Sequence, residues 1–290
     1  MVGHQLGVHA LVFAGGTTPD EITRSITQAK QAGFDILELS LHDLGNLDVS
    51  RTKAELEAAN LGVVCSRGLA FDADISSSDP AVVSRGAQLL QESLNITSQL
   101  GGTLFTGALY SALGKYAHPL SPAGRANVVR VLRELAEEAN HRGMELGIEV
   151  CNRYETNVVN TAAQAMDLAE DIGHDNVRIH LDIYHMNIEE ADFVGPVLRA
   201  GKRLGYVHVG ENHRGYLGSG HLDFSSFFRA LKHIDYTGAI TFESFSSAVV
   251  SPTLTNDLAI WRDLWRDGPA LARHARQFLA TALEATGAGD

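Results

Sequence analysis

The chain has 290 residues, 44% hydrophobic and 20% charged, which is typical of a soluble globular protein whose core is large enough to fold without disulfides or a structural metal. Its formal net charge is −12 and its pI about 5.5, whereas nucleic-acid-binding proteins usually carry a basic surface, so we expect no nucleic-acid partner. The two cysteines cannot form a disulfide framework, and no apolar run reaches the roughly 18 residues of a membrane helix.

Short apolar runs alternate with longer helical patterns along the whole chain. The elements follow from hydrophobic period, from Gly and Pro at their ends, and from capping residues. The sequence predicts eight strands, at 5–10, 34–40, 62–68, 102–107, 144–150, 177–183, 206–210 and 238–244. Each strand is followed by a predicted helix, and these helices lie at 19–33, near 50–60, at 79–101, 121–143 and 161–173, near 189–204, at 223–234 and around 255–285.

This alternation of strands and helices decides the fold class. Strict alternation predicts a parallel sheet. Eight such units in a chain of this length favour a (β/α)₈ TIM barrel, which we expect to form a single domain over residues 1–290. A doubly wound open sheet is the alternative.

The N-terminal segment "MVGHQLGVHALVFAGG" has no Lys or Arg and no long apolar stretch, so we expect no signal peptide. Cys65 and Cys151 form no Cys-x-x-Cys pair, which fits a reducing compartment. We therefore expect a cytoplasmic protein without a membrane partner.

Polar residues end four consecutive predicted strands, where a barrel core should be apolar. Alternate residues of a barrel strand point inward. In the last four strands the inward set ends with Glu149, Asp182, His208 and Glu243. All four lie at the C-terminal mouth, where barrel enzymes build their sites. Neighbouring strands are about 4.8 Å apart, so the four side chains can meet at one point.

Three carboxylates at that separation would repel one another and take up protons, unless a cation neutralises them. Three carboxylates with one imidazole and no thiolate favour Mn²⁺, Mg²⁺ or Co²⁺ over a structural zinc. The alternative is that each acidic residue pairs with an Arg or Lys inside the barrel. Arg178 is the obvious inward candidate for such a pair.

At these residues the sequence resembles the ketose 3-epimerase family, the group of D-tagatose 3-epimerase and D-allulose (D-psicose) 3-epimerase within the xylose isomerase-like barrels. The resemblance covers nearly the whole chain. Its most specific segments are "GIEVCNRYETNVVNTAAQA", "HLDIYHMNIEE", "YVHVGENHRGYLGSGHLDF" and "YTGAITFESF". It implies a metal-dependent C3 epimerase of free ketoses, such as D-fructose/D-allulose or D-tagatose/D-sorbose, with Mn²⁺ as the first expected metal. It also implies a homodimer or homotetramer.

The resemblance implies roles for individual residues. The metal ligands would be Glu149, Asp182, His208 and Glu243. Glu149 and Glu243 would also be the acid/base pair that moves the C3 proton through a cis-enediolate. The substrate-binding residues would be Glu155, His185, Arg214, Cys65 and His9.

The sequence leaves alternatives open at Cys65 and Glu38, and His9 departs from the resemblance. Cys65 is expected to point inward from the third strand and to line the sugar pocket, or else to be a small buried thiol. His9 ends the first strand, where relatives often carry an aromatic residue. Glu38 ends the second strand in the same phase and is either a partner of a metal ligand or part of a core ion pair.

Other functions remain possible on the same residues. The nearest is an aldose–ketose or hydroxypyruvate-type isomerase, which would move a proton between C1 and C2. A DNA-repair nuclease of the endonuclease IV type would need more histidine ligands and a basic surface. A catalytically silent sugar-binding protein would not need both Glu149 and Glu243. The segment "GYLGSG" after the seventh strand also leaves a phosphate site open.

Overall fold

The computed structural model describes residues 4–287, apart from the side chains of residues 253 and 257. Eight short parallel strands pair in chain order, and the last pairs with the first, which closes the barrel. The strands are β1 (Leu6–His9), β2 (Ile36–Ser40), β3 (Gly62–Ser66), β4 (Leu104–Thr106), β5 (Glu145–Glu149), β6 (Val177–Asp182), β7 (Leu204–Val209) and β8 (Ala239–Phe242). The predicted (β/α)₈ TIM barrel is confirmed, and the open-sheet alternative is excluded by the closure.

Helices surround the barrel and pack their apolar faces on its outer surface. They are α1 (Pro19–Ala32), α2 (Val49–Ala59), α3 (Pro80–Leu100), α4 (Pro122–His141), α5 (Ala162–Ile172), α6 (Ile183–Glu189), α7 (Gly195–Ala200), α8 (Phe224–His233), α9 (Pro252–Asp257) and α10 (Gly268–Gly287). No helix in the described range is both long and apolar enough to cross a membrane.

Local signals at the helix ends explain why most boundaries were predictable. The helices α1, α3 and α4 each begin with a proline. Proline has no N–H, and it is tolerated there because an N–H at the first position of a helix has no partner within the helix. Asp79 and Ser121 accept backbone N–H groups at the starts of α3 and α4. Gly33 and Gly101 end α1 and α3 with φ of 84° and 88°, a conformation that glycine adopts without strain.

Two helix predictions were right only in part. The helix predicted near 189–204 is replaced by α6 and α7, because Asp182 accepts the N–H of Tyr184 at 2.8 Å and starts a helix directly at the strand end. The long helix predicted around 255–285 is divided into α9 and α10. Ala259, with φ of 53°, follows α9, and Asp267 accepts the N–H of Ala270 at 2.9 Å at the start of α10.

The barrel interior is apolar at its base and polar at its mouth. The base is filled by a small cluster of inward residues, Ile36, Val64, Leu104 and Tyr206. The hydroxyl of Tyr206 donates to Glu38 at 2.8 Å and lies 2.6 Å from the hydroxyl of Thr241. This change from apolar to hydrogen-bonded side chains places the buried charges towards the C-terminal ends of the strands.

Candidate metal centre and substrate cavity

The structure brings the four residues at the ends of β5 to β8 together. Each offers one ligand atom, and the four atoms lie within 4.8 Å of one another. The Nδ1 atom of His208 is 3.5 Å from Oε1 of Glu149 and 3.4 Å from Oε2 of Glu243. Asp182 is fully buried and His208 almost so. Such proximity of three carboxylates and an imidazole is typical of a divalent-cation site.

The buried imidazole of His208 tests whether these residues fit a metal. Its Nε2 lies 2.6 Å from Oε2 of Glu38, so this nitrogen carries the proton and donates it to the carboxylate. In the neutral form of His208, which a metal ligand requires, Nδ1 presents a lone pair, and this buried atom has no hydrogen-bond partner among the described residues. A carboxylate behind a histidine is the usual arrangement for a metal ligand. The donor set therefore fits a divalent cation.

A neighbouring histidine, His180, shares part of this geometry. Its ring lies 4.2 Å from that of His208, and the two form a second possible grouping with Glu149. Nδ1 of His180 is 2.9 Å from the hydroxyl of Thr106. His180 precedes Asp182 by two residues on β6 and faces the same interior, where it supports the mouth from below.

The guanidinium of Arg214 also reaches this cluster. Its Nη2 is 3.0 Å from Oδ2 of Asp182 and 2.9 Å from Oε2 of Glu243. Arg178, the expected inward cation, instead lies 3.4 Å from Glu145, at the other end of β5. The charge pairing considered from sequence is thus present at two of the four residues, but the cation comes from the loop after β7.

The backbone at Arg214 is held in place from several sides. Its φ is 59°, a conformation that few residues other than glycine adopt. Ser244 and the indole N–H of Trp265 donate to its carbonyl at 2.5 and 3.2 Å. Its guanidinium stacks on the ring of Tyr184 at 3.9 Å. These contacts fix a cation at the edge of the cluster.

The two glutamates of the cluster differ in their electrostatic surroundings. Burial raises the pKa of Glu149 above its ordinary value, and the neighbouring His208 offsets this only in part. Burial would also raise the pKa of Glu243, but His208 in its protonated form and Arg214 outweigh it and hold this pKa well below the ordinary value. The contact with Arg214 at 2.9 Å therefore distinguishes the surroundings of Glu243 from those of Glu149.

A cavity of about 780 Å³ opens over the cluster. Four of the five residues expected to bind substrate line it: His9, Glu155, His185 and Arg214. Nε2 of His185 lies 3.7 Å from Oδ2 of Asp182 and 3.9 Å from Oε2 of Glu155. These side chains and the metal cluster therefore share one space.

Asn152 organises this wall and was missed by the sequence reasoning. Its backbone N–H and side-chain amide approach Nδ1 of His185 at 3.2 and 2.8 Å, and the amide also donates to Glu155 at 2.8 Å. With Nδ1 accepting, the proton of His185 lies on Nε2, which faces the cavity. The sequence offered one signal for this role, which is that Asn152 lies three residues before the predicted substrate-binding residue Glu155.

Cys65 is the exception, and the expectation that it points inward was wrong. Its side chain is fully buried and hydrogen-bonds to Thr97 of α3, outside the barrel. Burial raises the pKa of this thiol to about 12. Val64 and Ser66 are the inward residues of β3, and Ser66 lines the cavity. Because both faces of β3 are buried, the run "GVVCS" gave no polar alternation from which to read the phase.

Glu38 and His9 connect the first strands to the cluster. Nε2 of His9 is 3.6 Å from Oε1 of Glu38 and 4.0 Å from Oε1 of Glu243. Burial alone would raise the pKa of Glu38, but His208 and His9 lower it below the ordinary value. Of the two alternatives for Glu38, the structure favours the first, because Glu38 contacts His208, a residue of the cluster.

Comparison with known proteins agrees with this geometry. Residues 26–282 match the family described as the xylose isomerase-like TIM barrel. An L-ribulose 3-epimerase of Methylomonas sp. is 46% identical over 95% of this chain and 96% of its own, and a ketose 3-epimerase of Arthrobacter globiformis is 44% identical over 97% of each chain. A crystal structure of D-allulose 3-epimerase from Methylomonas sp. in complex with D-allulose superimposes with a TM-score of 0.94, at 46% identity, over 96% of this chain and 97% of that one.

The fold and the buried cluster, together with this match, show that the chain belongs to the xylose isomerase-like TIM barrel family. Within that family it groups with the ketose 3-epimerases, and it is accordingly an enzyme of the isomerase class. These relatives do not favour the aldose–ketose isomerase considered from sequence.

Proposed function

We propose that the chain is a divalent-metal-dependent C3 epimerase of free ketoses. The names of the two relatives support the reaction. The observation that carries the proposal is the placement of Glu149 and Glu243, both within 3.5 Å of Nδ1 of His208 but carried by strands that are not neighbours. Two carboxylates approaching one point from separate strands suit a reaction that needs a proton acceptor and a proton donor.

The chemistry explains why two carboxylates are required. Inversion at C3 removes a proton from the carbon next to the ketone and returns one to the opposite face. One glutamate accepts the first proton while the other donates the second, and the roles exchange for the reverse reaction. A divalent cation held by Glu149, Asp182, His208 and Glu243 would act as a Lewis acid toward the ketone oxygen and the neighbouring hydroxyl.

The other cavity residues stabilise the charge that develops on the substrate. Nε2–H of His185 and the guanidinium of Arg214 are donors beside the cluster, where the enediolate oxygens would form. Glu155 lies against His185 and accepts from Asn152, so it orients the histidine and is placed to bind a terminal hydroxyl.

The finer identity of substrate and metal belongs to the same proposal. D-Fructose/D-allulose and D-tagatose/D-sorbose are the expected pairs, with L-ribulose suggested by the name of one relative. Mn²⁺ is the expected metal, with Mg²⁺ or Co²⁺ as substitutes. We also expect the protein to be cytoplasmic and to form a homodimer or homotetramer.

Identification of products tests the reaction directly. We would incubate the Mn²⁺-loaded protein with a panel of ketohexoses and ketopentoses and identify each product by chromatography and NMR. The expected product in each active case is the C3 epimer. An aldose as the main product would instead establish a C1–C2 isomerase, and no product from any ketose would contradict the proposal.

A further inference from the structure

The cavity over the cluster extends well beyond the residues assigned to the reaction. At about 780 Å³ it lies in the upper part of the range of roughly 300–1,000 Å³ that holds drug-sized ligands, so a free ketose would fill only part of it. Part of the remainder lies between α3 and the loop after β3. We call this part the α3 lobe and define it by six lining residues, Arg67, Phe71, Asp72, Arg85, Gln88 and Glu92.

The α3 lobe lies across the barrel from the cluster. The strands close in the order β1 to β8, so β2 and β3 are opposite β6 and β7. The ligand cluster lies at the ends of β5 to β8, while the α3 lobe lies beyond the ends of β2 to β4. A ketose with O2 and O3 at the cluster would therefore have room to extend the far end of its carbon chain into the lobe.

Hydrogen bonds within the protein hold some polar groups of the lobe in place. Arg67 is almost fully buried, and its Nη1 donates to the carbonyl of Leu41 and, at 3.2 Å, to Ser93, while its Nε has no partner among the described residues. Gln88 and Glu92 lie one turn apart on α3 and both line the cavity. Donors and acceptors thus surround the same space.

An aromatic ring completes the lobe. Phe71 is 55% exposed, although large apolar side chains are usually buried. One side of its ring is held by Tyr116, at 5.1 Å between centroids, and by the backbone of Gly114, where a Cβ would lie only 2.8 Å from the ring. Arg85 donates to the carbonyl of Asp72 at 2.7 Å and fixes this loop to α3. The exposed side of the ring is therefore a rigid apolar surface inside a polar lobe.

The charges of the lobe balance. Arg67 and Arg85 are matched by Asp72 and Glu92, so the lobe as a whole attracts neither anions nor cations. Paired donors and acceptors beside an aromatic face suit an uncharged ring that carries many hydroxyl groups.

We propose that the α3 lobe binds a second sugar ring, so that the chain epimerises ketoses bearing a glycosyl group at the end remote from C3. This inference rests on the proposed function, and C3 inversion leaves the glycosyl bond unchanged.

A disaccharide with a free ketose unit tests the lobe. We would measure kcat/KM of the Mn²⁺-loaded protein for 6-O-glucosyl-D-fructose and for D-fructose, and repeat both with Phe71→Ala and Gln88→Ala. The expected result is turnover of the disaccharide, with its kcat/KM relative to D-fructose lowered about tenfold in each variant. Leu198→Ala on α7, an apolar side chain of comparable exposure at 44%, is the control and leaves the ratio unchanged.

Four outcomes would overturn the inference. If D-fructose is turned over and the disaccharide is not, the lobe does not bind a second sugar ring, and the proposed function stands. An unchanged ratio in both variants does the same. Preference for D-fructose 6-phosphate over the disaccharide would make the lobe an anion site. If no free ketose reacts, the proposed function fails, and the role of the lobe is tested by titration calorimetry with the disaccharide. Binding that Phe71→Ala weakens would support a sugar site in the lobe, and absence of binding would refute it.

Discussion

The two halves of the barrel end in different chemistry. The first four strands end in His9, Ser40, Ser66 and Thr106. The last four carry Glu149, Asp182, His208 and Glu243 at or next to their ends. Because ligands on adjacent strands converge, the acidic cluster needs only one side of the mouth. On the proposed function, the opposite side would recognise the rest of the substrate, and each prediction below tests this division.

Removal of the metal should have the largest effect, because the proposed function places it among all four residues at the ends of β5 to β8. Chelation is expected to reduce epimerisation to the background rate, and Mn²⁺, Co²⁺ or Mg²⁺ to restore it. The melting temperature should also rise with added metal, since a ligand that binds only the folded state stabilises it. Full activity in protein shown by elemental analysis to be metal-free would contradict the assignment.

Replacing either glutamate of the pair comes next. Glu149→Gln and Glu243→Gln keep the size and one ligand oxygen but remove the base, so net epimerisation should fall about 10²–10⁴-fold from both epimers. In D₂O, each variant should still exchange the C3 proton of the one epimer whose face keeps its glutamate. NMR at C3, with metal content measured on the same samples, distinguishes this from loss of metal. Near-native interconversion by either metal-bound variant would exclude the two-base mechanism.

The donors beside the cluster should matter less than the bases. Arg214→Ala and His185→Ala each remove a donor to a developing oxyanion, so kcat/KM should fall about 10²–10³-fold while metal stays bound. Arg214→Lys keeps the charge but loses the planar fork that reaches Asp182 and Glu243, and should recover only part of the activity. Loss of bound metal in either alanine variant would place that residue with the ligands instead.

Glu38 tests whether the two halves are separate. It belongs to β2, yet it accepts a hydrogen bond from Nε2 of His208 across the barrel at 2.6 Å. Glu38→Gln should weaken metal affinity about 10–100-fold, because the histidine loses the carboxylate that fixes its orientation. Titration calorimetry with Mn²⁺ measures this, with Glu134→Gln on the exposed face of α4 as the control. Equal affinity in the two variants would mean that the first half of the barrel does not support the metal.

The same division explains how much could be read from the sequence. The barrel followed from periodicity and caps, and the convergence of Glu149, Asp182, His208 and Glu243 followed from strand phase, because polar side chains marked the inward face of β5 to β8. In β3 both faces are buried, so the phase of Cys65 could not be read. The contacts of Glu38 join strands distant in the sequence, and the capping by Asp182 that produces α6 competes with strand continuation.

Cys65 gives the smallest expected effect and the sharpest check on strand phase. Its side chain faces Thr97 of α3 rather than the cavity, so Cys65→Ala should leave kcat and KM for a free ketose unchanged. Loss of the buried sulfur should cost roughly 1 kcal/mol of unfolding free energy, because a small void remains between strand and helix. Ser66→Val, at the neighbouring inward position, is the matched comparison and should raise KM, since Ser66 lines the cavity. Denaturant unfolding and steady-state kinetics on both variants decide the matter. A raised KM in Cys65→Ala with an unchanged KM in Ser66→Val would mean that β3 faces the opposite way and that the thiol belongs to the sugar pocket after all.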